Sequence, residues 1–223
     1  MKTNFKPIKK QRHLEMALES ISGHPKPKIK LEQYHTPSII ASDVLWNAYN
    51  LGDIEDKNII DLGCGTGIFT IGSVMLGAEC ACGIDIDLDA LIMAKETSEK
   101  LGLNEKTNFI EMDINEMDIN NISSNEIRHM DTCIQNPPFG SQLKVKKGAD
   151  RIFMEKSIQI ANVVYSFHMA ETEVFVENYF SNLGGKITHK FYYSFSIPRT
   201  YSFHKQEAKK IEVIVVRVER INN

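Results

Sequence analysis

Residues able to bind and react are concentrated in four short stretches: Asp61-Leu-Gly63-Cys-Gly65-Thr66-Gly67-Ile68, Gly83-Ile-Asp85-Ile86-Asp87, Asp113-Ile114 and Gln135-Asn136-Pro137-Pro138-Phe139-Gly140. In the first, glycines at alternate positions let the backbone turn tightly and approach a ligand that a Cβ would exclude, and a helix expected to follow presents free N–H groups. Twenty residues after Gly65 stands Asp85, where a carboxylate at a strand end can accept from both hydroxyls of a ribose. Asp113 closes the next apolar stretch and could accept from an adenine amino group. The three acids form a row where open α/β folds bind their ligands, outside the carboxyl ends of the strands.

The glycine motif opens on an acid and reads GxGxG, not the GxGxxG of pyrophosphate loops. An Asp repels a phosphate and suits a cationic ligand. S-adenosylmethionine, with its sulfonium and ammonium groups, therefore fits the stretch better than NAD. In the fourth stretch two prolines constrain a turn and remove two backbone donors, so its carbonyl oxygens can serve as acceptors. Asn136 adds a side-chain carbonyl and Phe139 a flat apolar face. A planar amine could donate both hydrogens, one to Asn136 and one to the Pro137 carbonyl, while its ring stacks on Phe139; such stacking is worth roughly 1–3 kcal/mol per base.

These stretches need strands to end where they begin. Strands are predicted at Asn58–Leu62, Glu79–Ile84, Thr107–Met112 and Met130–Gln135, alternating with helices at Ile68–Leu76, closed by Gly77, and Asp87–Leu101, closed by Gly102. Upstream, the spacing of Leu14, Ala17, Leu18 and Ile21 predicts a short helix followed by an extended Pro-bearing segment. The spacing of Ile39, Ile40, Val44, Leu45 and Ala48 predicts another helix, with Ser38 or Thr36 as N-cap. Downstream, a polar connection at 115–128 is expected. Helices are expected at about 151–165 and 171–182, then strands near 187–197 and 210–219. The expected fold is α/β: a three-layer Rossmann-like, mostly parallel seven-stranded sheet with an antiparallel last strand and helices on both faces.

Composition agrees with one such domain. The 223 residues are 42% hydrophobic and 25% charged, which excludes disordered, collagenous and disulfide-scaffold classes. Cys64, Cys80, Cys82 and Cys133 lie in apolar or Gly-rich stretches without zinc-ligand spacing; they read as buried small hydrophobes in a reducing compartment, and no metal site is expected. No apolar run reaches membrane-spanning length and the basic start lacks a signal-peptide core, so a cytoplasmic location is expected. Charge is uneven. Residues 1–30 hold eight Lys/Arg against two Glu, a net of +6, leaving 18 basic and 27 acidic residues and a net of −9 over 31–223. The expected organisation is a basic N-terminal arm with a short helix, 1–30, before a single domain, 31–223. The arm points to an anionic partner, and Lys144, Lys146, Lys147 and Arg151 are further candidate phosphate contacts.

The glycine stretch followed by Asn136-Pro137-Pro138-Phe139 resembles class I S-adenosylmethionine-dependent methyltransferases that act on amines. Pro27-Lys28, Leu31-Glu32-Gln33-Tyr34-His-Thr36, Met75-Leu-Gly77, Ala161-Asn-Val-Val-Tyr-Ser166 and Phe203-His204-Lys205 extend the resemblance, from about Leu14 to the last strand, to the methyltransferase-like-five family. That family methylates N6 of an adenosine in small-subunit ribosomal RNA. The resemblance implies that Gln33 and Thr36 cover the methionine end of the cofactor, with Tyr34 among its contacts. Asp61, Gly63, Gly65, Thr66, Gly67 and Ile68 would cradle it, Asp85 with Ile86 would take the ribose, and Asp113 with Ile114 would flank the adenine. Asn136 to Phe139 would hold the target base, and Phe203, His204 and Lys205 would contact RNA. It further implies a small zinc-containing activator protein paired to an edge strand such as Thr107–Met112.

Three other readings compete. A protein glutamine N5-methyltransferase also presents an Asn-Pro-Pro turn to a planar amide, but typically with Tyr after it and a larger helical N-terminal domain. A DNA adenine methyltransferase would need an added target-recognition domain. A non-catalytic RNA-binding assembly module would not need Gly63, Gly65, Asp85 and Asn136 intact.

Overall fold

The computed structural model describes residues 6–21, 23, 36–117, 130–139, 149–197 and 209–221. Its centre is a seven-stranded sheet in the order β3-β2-β1-β4-β5-β7-β6. Strands β1 (Asn58–Leu62), β2 (Cys80–Asp85), β3 (Thr107–Glu111), β4 (Met130–Gln135) and β5 (Ala161–Met169) pair in parallel, while β7 (Lys209–Arg220) runs antiparallel to β5 on one side and to β6 (Gly185–Ile197) on the other. The expected antiparallel last strand is thus an inserted strand, flanked on both sides, and β3 and β6 form the edges.

Helices α1 (Gln11–Leu18), α2 (Ser38–Asn50) and α3 (Ile68–Met75) cover one face, with Leu14, Leu18, Leu45, Ile71 and Phe167 in one buried apolar layer. On the other face α5 (Ala149–Ile160) and α6 (Glu173–Asn182) build the second layer, in which Met154, Ile158, Val176 and Phe180 meet Leu62, Val164 and Val216. Helix α4 (Leu88–Lys100) buries Ala90, Leu91 and Ala94 beside β2 and β3 and is capped by Asp87, whose carboxylate accepts from the Asp89 N–H. The helix of the basic arm is docked: Leu14, Leu18 and Ile21 are at most 2% exposed, and the Ile8 N–H donates to the Met75 carbonyl. One of the arm's positive charges is matched internally, since Lys9 Nζ lies 2.6 Å from Glu55.

Three sequence expectations are corrected. The helix expected to run to 165 stops at Ile160, and Ala161–Met169 is β5, a central strand that follows with no loop between. Val163, Val164, Tyr165 and Phe167 are β-branched or aromatic residues that suit a strand packed on both faces, and they overrode the continuing apolar pattern of the helix. Neither Ser38 nor Thr36 caps α2: Pro37 holds the N-cap position without a side-chain bond. Cys80 is half-buried, its thiol against Asn58 Oδ1 at 3.2 Å, whereas Cys64, Cys82 and Cys133 are buried as expected.

Arg217 makes two hydrogen bonds to the Asp53 carboxylate, at 2.7 and 3.0 Å, and the Tyr165 hydroxyl donates to the same group at 2.6 Å. The pair is almost wholly buried. It ties the segment before β1 to β7 across 164 residues.

Candidate active site

At the carboxyl edge of the sheet, the loop between β1 and α3 is folded back onto β2. The Gly63 and Cys64 N–H groups both donate to the Ile84 carbonyl, and the Gly65 N–H donates to Asp85 Oδ2 at 2.8 Å. Gly67 begins α3 with φ of 83°, and a Cβ there would lie 3.0 Å from the Phe109 ring. It is a packing and turn glycine. At Gly65, also with positive φ, a Cβ would meet nothing within 4 Å. That open space is where a ligand can lie against the backbone.

Asp85 is braced for such a ligand. Its Oδ1 accepts from the Asp87 N–H at 2.9 Å, and with Gly65 on Oδ2 the carboxylate is held in one orientation at the strand end. Burial raises its pKa, and the amides of Asp87 and Gly65 oppose that rise. Beside it Ile86 leaves 49% of its surface exposed, an apolar wall next to a fixed acceptor. Asp113 Oδ1 accepts from both the backbone and side-chain amides of Asn115, and Ile114 is buried beneath. Thr66 and Ile68 are also buried, at 8% and 5% exposure.

Asp61 is turned toward the first turn of α3. Its side chain is 1% exposed, and Oδ2 accepts from the Thr70 N–H at 3.0 Å and the Thr70 hydroxyl at 2.7 Å. Helix α3 has no capping side chain of its own, so the strand-end carboxylate answers the orphan N–H of its third residue. Burial above all pushes the Asp61 pKa up to about 7, with the Asp85 charge adding to the rise and Thr70 opposing it.

Across from this cradle, Asn136 leaves β4. Its Nδ2 donates to the Thr36 hydroxyl at 3.0 Å across 100 residues of sequence. The hydroxyl expected to cap α2 is instead the group that orients the Asn136 amide, and Oδ1 remains as an acceptor with no partner among the described residues. Pro137 is buried, while Pro138 and Phe139 are partly exposed, Phe139 packing against the α2 and α3 layer. Thus Thr36, Gly63, Gly65, Thr66, Asp85, Ile86, Asp113 and Asn136 to Phe139 share one edge. Gln33, Tyr34, Lys144, Lys146, Lys147, Phe203, His204 and Lys205 lie outside the described residues. Arg151 is exposed on the first turn of α5, its guanidinium 5.0 Å from the Phe175 ring centre and 5.8 Å from that of Tyr179.

Burial raises the Cys64 and Cys133 thiols well above their ordinary pKa, so neither is a poised thiolate. Among the described residues no three His, Cys, Asp or Glu side chains converge as metal ligands, and no helix is long and apolar enough to cross a membrane.

Sequence reasoning missed a set of buried polar residues behind the turn. Gln135 Nε2 donates to Ser166 Oγ at 2.9 Å, Ser166 Oγ lies 2.7 Å from His168 Nε2, and His168 Nδ1 faces Asp150 Oδ2 at 3.8 Å. The available signal was two polar residues two apart, Ser166 and His168, in the apolar run from Val163 to Met169, which share one strand face. Gln135 Oε1 is buried without a partner among the described residues, a condition that costs about 1–3 kcal/mol.

A glycine loop against open space, a braced strand-end acid and an amide-bearing turn at one sheet edge define a class I, S-adenosylmethionine-dependent methyltransferase. Magnesium protoporphyrin IX methyltransferase from Synechocystis, solved with S-adenosylmethionine bound, shares the fold with a TM-score of 0.61 at 15% identity, covering 92% of this chain and 90% of that one. A Danio rerio protein named rRNA N(6)-adenosine-methyltransferase METTL5 is 34% identical over 210 residues, 93% of this chain and 98% of its own; this chain belongs to the METTL5 family. A Pyrococcus horikoshii crystal structure matches with a TM-score of 0.83 and 34% identity over 96% of this chain and all of that one. The family model for ribosomal protein L11 methyltransferase (PrmA) matches residues 46–136.

Proposed function

We propose that this protein methylates N6 of an adenosine in ribosomal RNA, and that the RNA is that of the small subunit. The observation that carries the reading is the Asn136 amide, turned by Thr36 so that its carbonyl oxygen is left for an incoming amine. S-adenosylmethionine is the cofactor and, when bound, would supply an electrophilic methyl group on a sulfonium, whose bond to that methyl breaks as the nitrogen takes it and which leaves as a neutral thioether. The chain's residues fit it: Gly65 leaves room at the backbone, Asp85 accepts from the ribose, Ile86 covers an apolar face, and Asp113 with Ile114 flanks the adenine. Gln33, Tyr34 and Thr36 close over the methionine end. Asp61 contributes by fixing the loop to α3.

The target adenine stacks on Phe139 while its amino group donates to Asn136 Oδ1 and to the Pro137 carbonyl. The lone pair of that nitrogen is delocalised into the ring and must localise as the new bond forms. Positive charge then builds on nitrogen, and both acceptors strengthen their hold on it, which lowers the barrier selectively. Alignment of the amine adds to this. The surplus proton leaves to water after transfer.

A base must leave its stack to reach this turn, which suits a single-stranded or looped target. Lys144, Lys146, Lys147, Arg151 and Phe203 to Lys205 are the proposed RNA contacts. A small zinc-containing activator protein pairs with an edge strand such as β3, and the protein works in the cytoplasm. Methylation of a protein amide is the rival reading favoured by the L11 methyltransferase match. That match ends at Asn136 and spans the cofactor half of the sheet, whereas likeness to the adenosine methyltransferase runs through the β5–β7 half as well.

The test is transfer of tritiated methyl to total RNA from cells lacking the protein, followed by nucleoside analysis. Label in N6-methyladenosine of small-subunit RNA is expected; label in protein alone overturns the reading.

A further inference from the structure

Two consecutive residues at the end of β4 carry amides, and each has its NH2 group taken by a hydroxyl: Gln135 by Ser166 and Asn136 by Thr36. Successive strand residues face opposite sides of the sheet, and the two hydroxyls come from opposite layers, Ser166 from the α5 and α6 side and Thr36 from the head of α2. Asn136 is therefore braced on one side directly and on the other through its neighbour.

The Gln135 side does not end at Ser166. His168, 2% exposed, sits two residues further along β5 with its ring edge-on to Phe180 on α6, and Asp150 approaches its other nitrogen from the first turn of α5. Burial keeps this imidazole neutral, with Asp150 opposing that effect. A neutral ring facing a carboxylate carries its proton on Nδ1, which makes Nε2 an acceptor. The Ser166 hydroxyl must then donate to Nε2 and accept from Gln135 Nε2. Each link sets the direction of the next, and the chain ends at the carbonyl of Gln135, a buried oxygen without a donor among the described residues.

We infer that Asp150, His168 and Ser166 form a polar strut that fixes Gln135, and through it the exit of Asn136 from β4, making Gln135, Ser166 and His168 positioning residues for methyl transfer. The inference deepens the proposed function and rests on it. The strut acts on turnover and not on cofactor binding, because Asp85 and Gly65 belong to β2 and the β1–α3 loop, which the strut does not touch.

The variants are Ser166→Ala, His168→Phe and His168→Gln in the full chain. Ser166→Ala and His168→Phe should lower kcat on RNA at least tenfold, with cofactor affinity by calorimetry within twofold of the parent. His168→Gln should recover most of that loss, because its Oε1 can accept where Nε2 does. Turnover within twofold of the parent in Ser166→Ala, which removes one oxygen and keeps the fold if His168→Phe does not, overturns the inference. So does a folded His168→Gln as slow as His168→Phe. The side-chain amide resonances of Gln135 and Asn136, followed by NMR, provide a readout that needs no RNA. Both should shift in Ser166→Ala and return toward parent positions in His168→Gln relative to His168→Phe; an unmoved Asn136 amide overturns the strut. If the parent transfers no methyl to RNA, the proposed function has failed and the resonances alone decide whether the strut positions Asn136.

Discussion

Asn136 and Asp61 are both polar side chains at strand ends, and the structure gives them different duties. Asn136 has an acceptor, Oδ1, without a partner among the described residues. Replacing it with Ala should lower kcat by about 10²–10³-fold, the usual loss for one preorganised group facing developing charge, with cofactor affinity by calorimetry little changed. Asp61 keeps its charge inside. Because its folded pKa stands near 7, above the ordinary carboxylate value, folding disfavours its ionised form. Its contribution is intact below about pH 4 and is lost as pH rises toward 7, by about 4 kcal/mol at most. Chemical denaturation across pH 5–8 should therefore show Asp61→Asn gaining stability relative to the parent as pH rises. A constant difference would show that Asp61 does not titrate in this window.

At the scale of elements, α1 is a structural part of the domain. Leu18→Ala should cost about 2–5 kcal/mol, measured by urea unfolding, because Leu18 is completely buried between α2 and α3. The cofactor half of the site was legible in the sequence since its cues are local: glycines, a strand-end acid and a helix start fall within a few residues of one another. The half proposed to hold the base was legible only in its turn. Thr36 reads locally as a helix cap, and nothing near it indicates that Asn136 takes its hydroxyl 100 residues later. The strut was hidden for a related reason. Helix α5 passes into β5 without a turn signal, so the strand that carries Ser166 and His168 was read in part as helix, and its period-2 polar pair went unrecognised.

For the whole molecule, the pairing of Asp53 with Arg217 ties the segment before β1 to β7, the strand inserted between β5 and β6. Arg217→Met should destabilise by about 3–5 kcal/mol by leaving a buried carboxylate without its partner, while Asp53→Asn in the same background should recover part of the loss in thermal or urea unfolding. The order β5-β7-β6 has a consequence for the chain as it is synthesised. Strand β6 emerges before β7 yet has no place on the sheet until β7 lies between it and β5. Until then β5 presents an open edge and β6 an unpaired one, so a nascent or truncated chain that stops short of β7 exposes two adhesive strand edges at once. Only once β7 inserts do both find partners, and the window before insertion is when this protein most needs a chaperone.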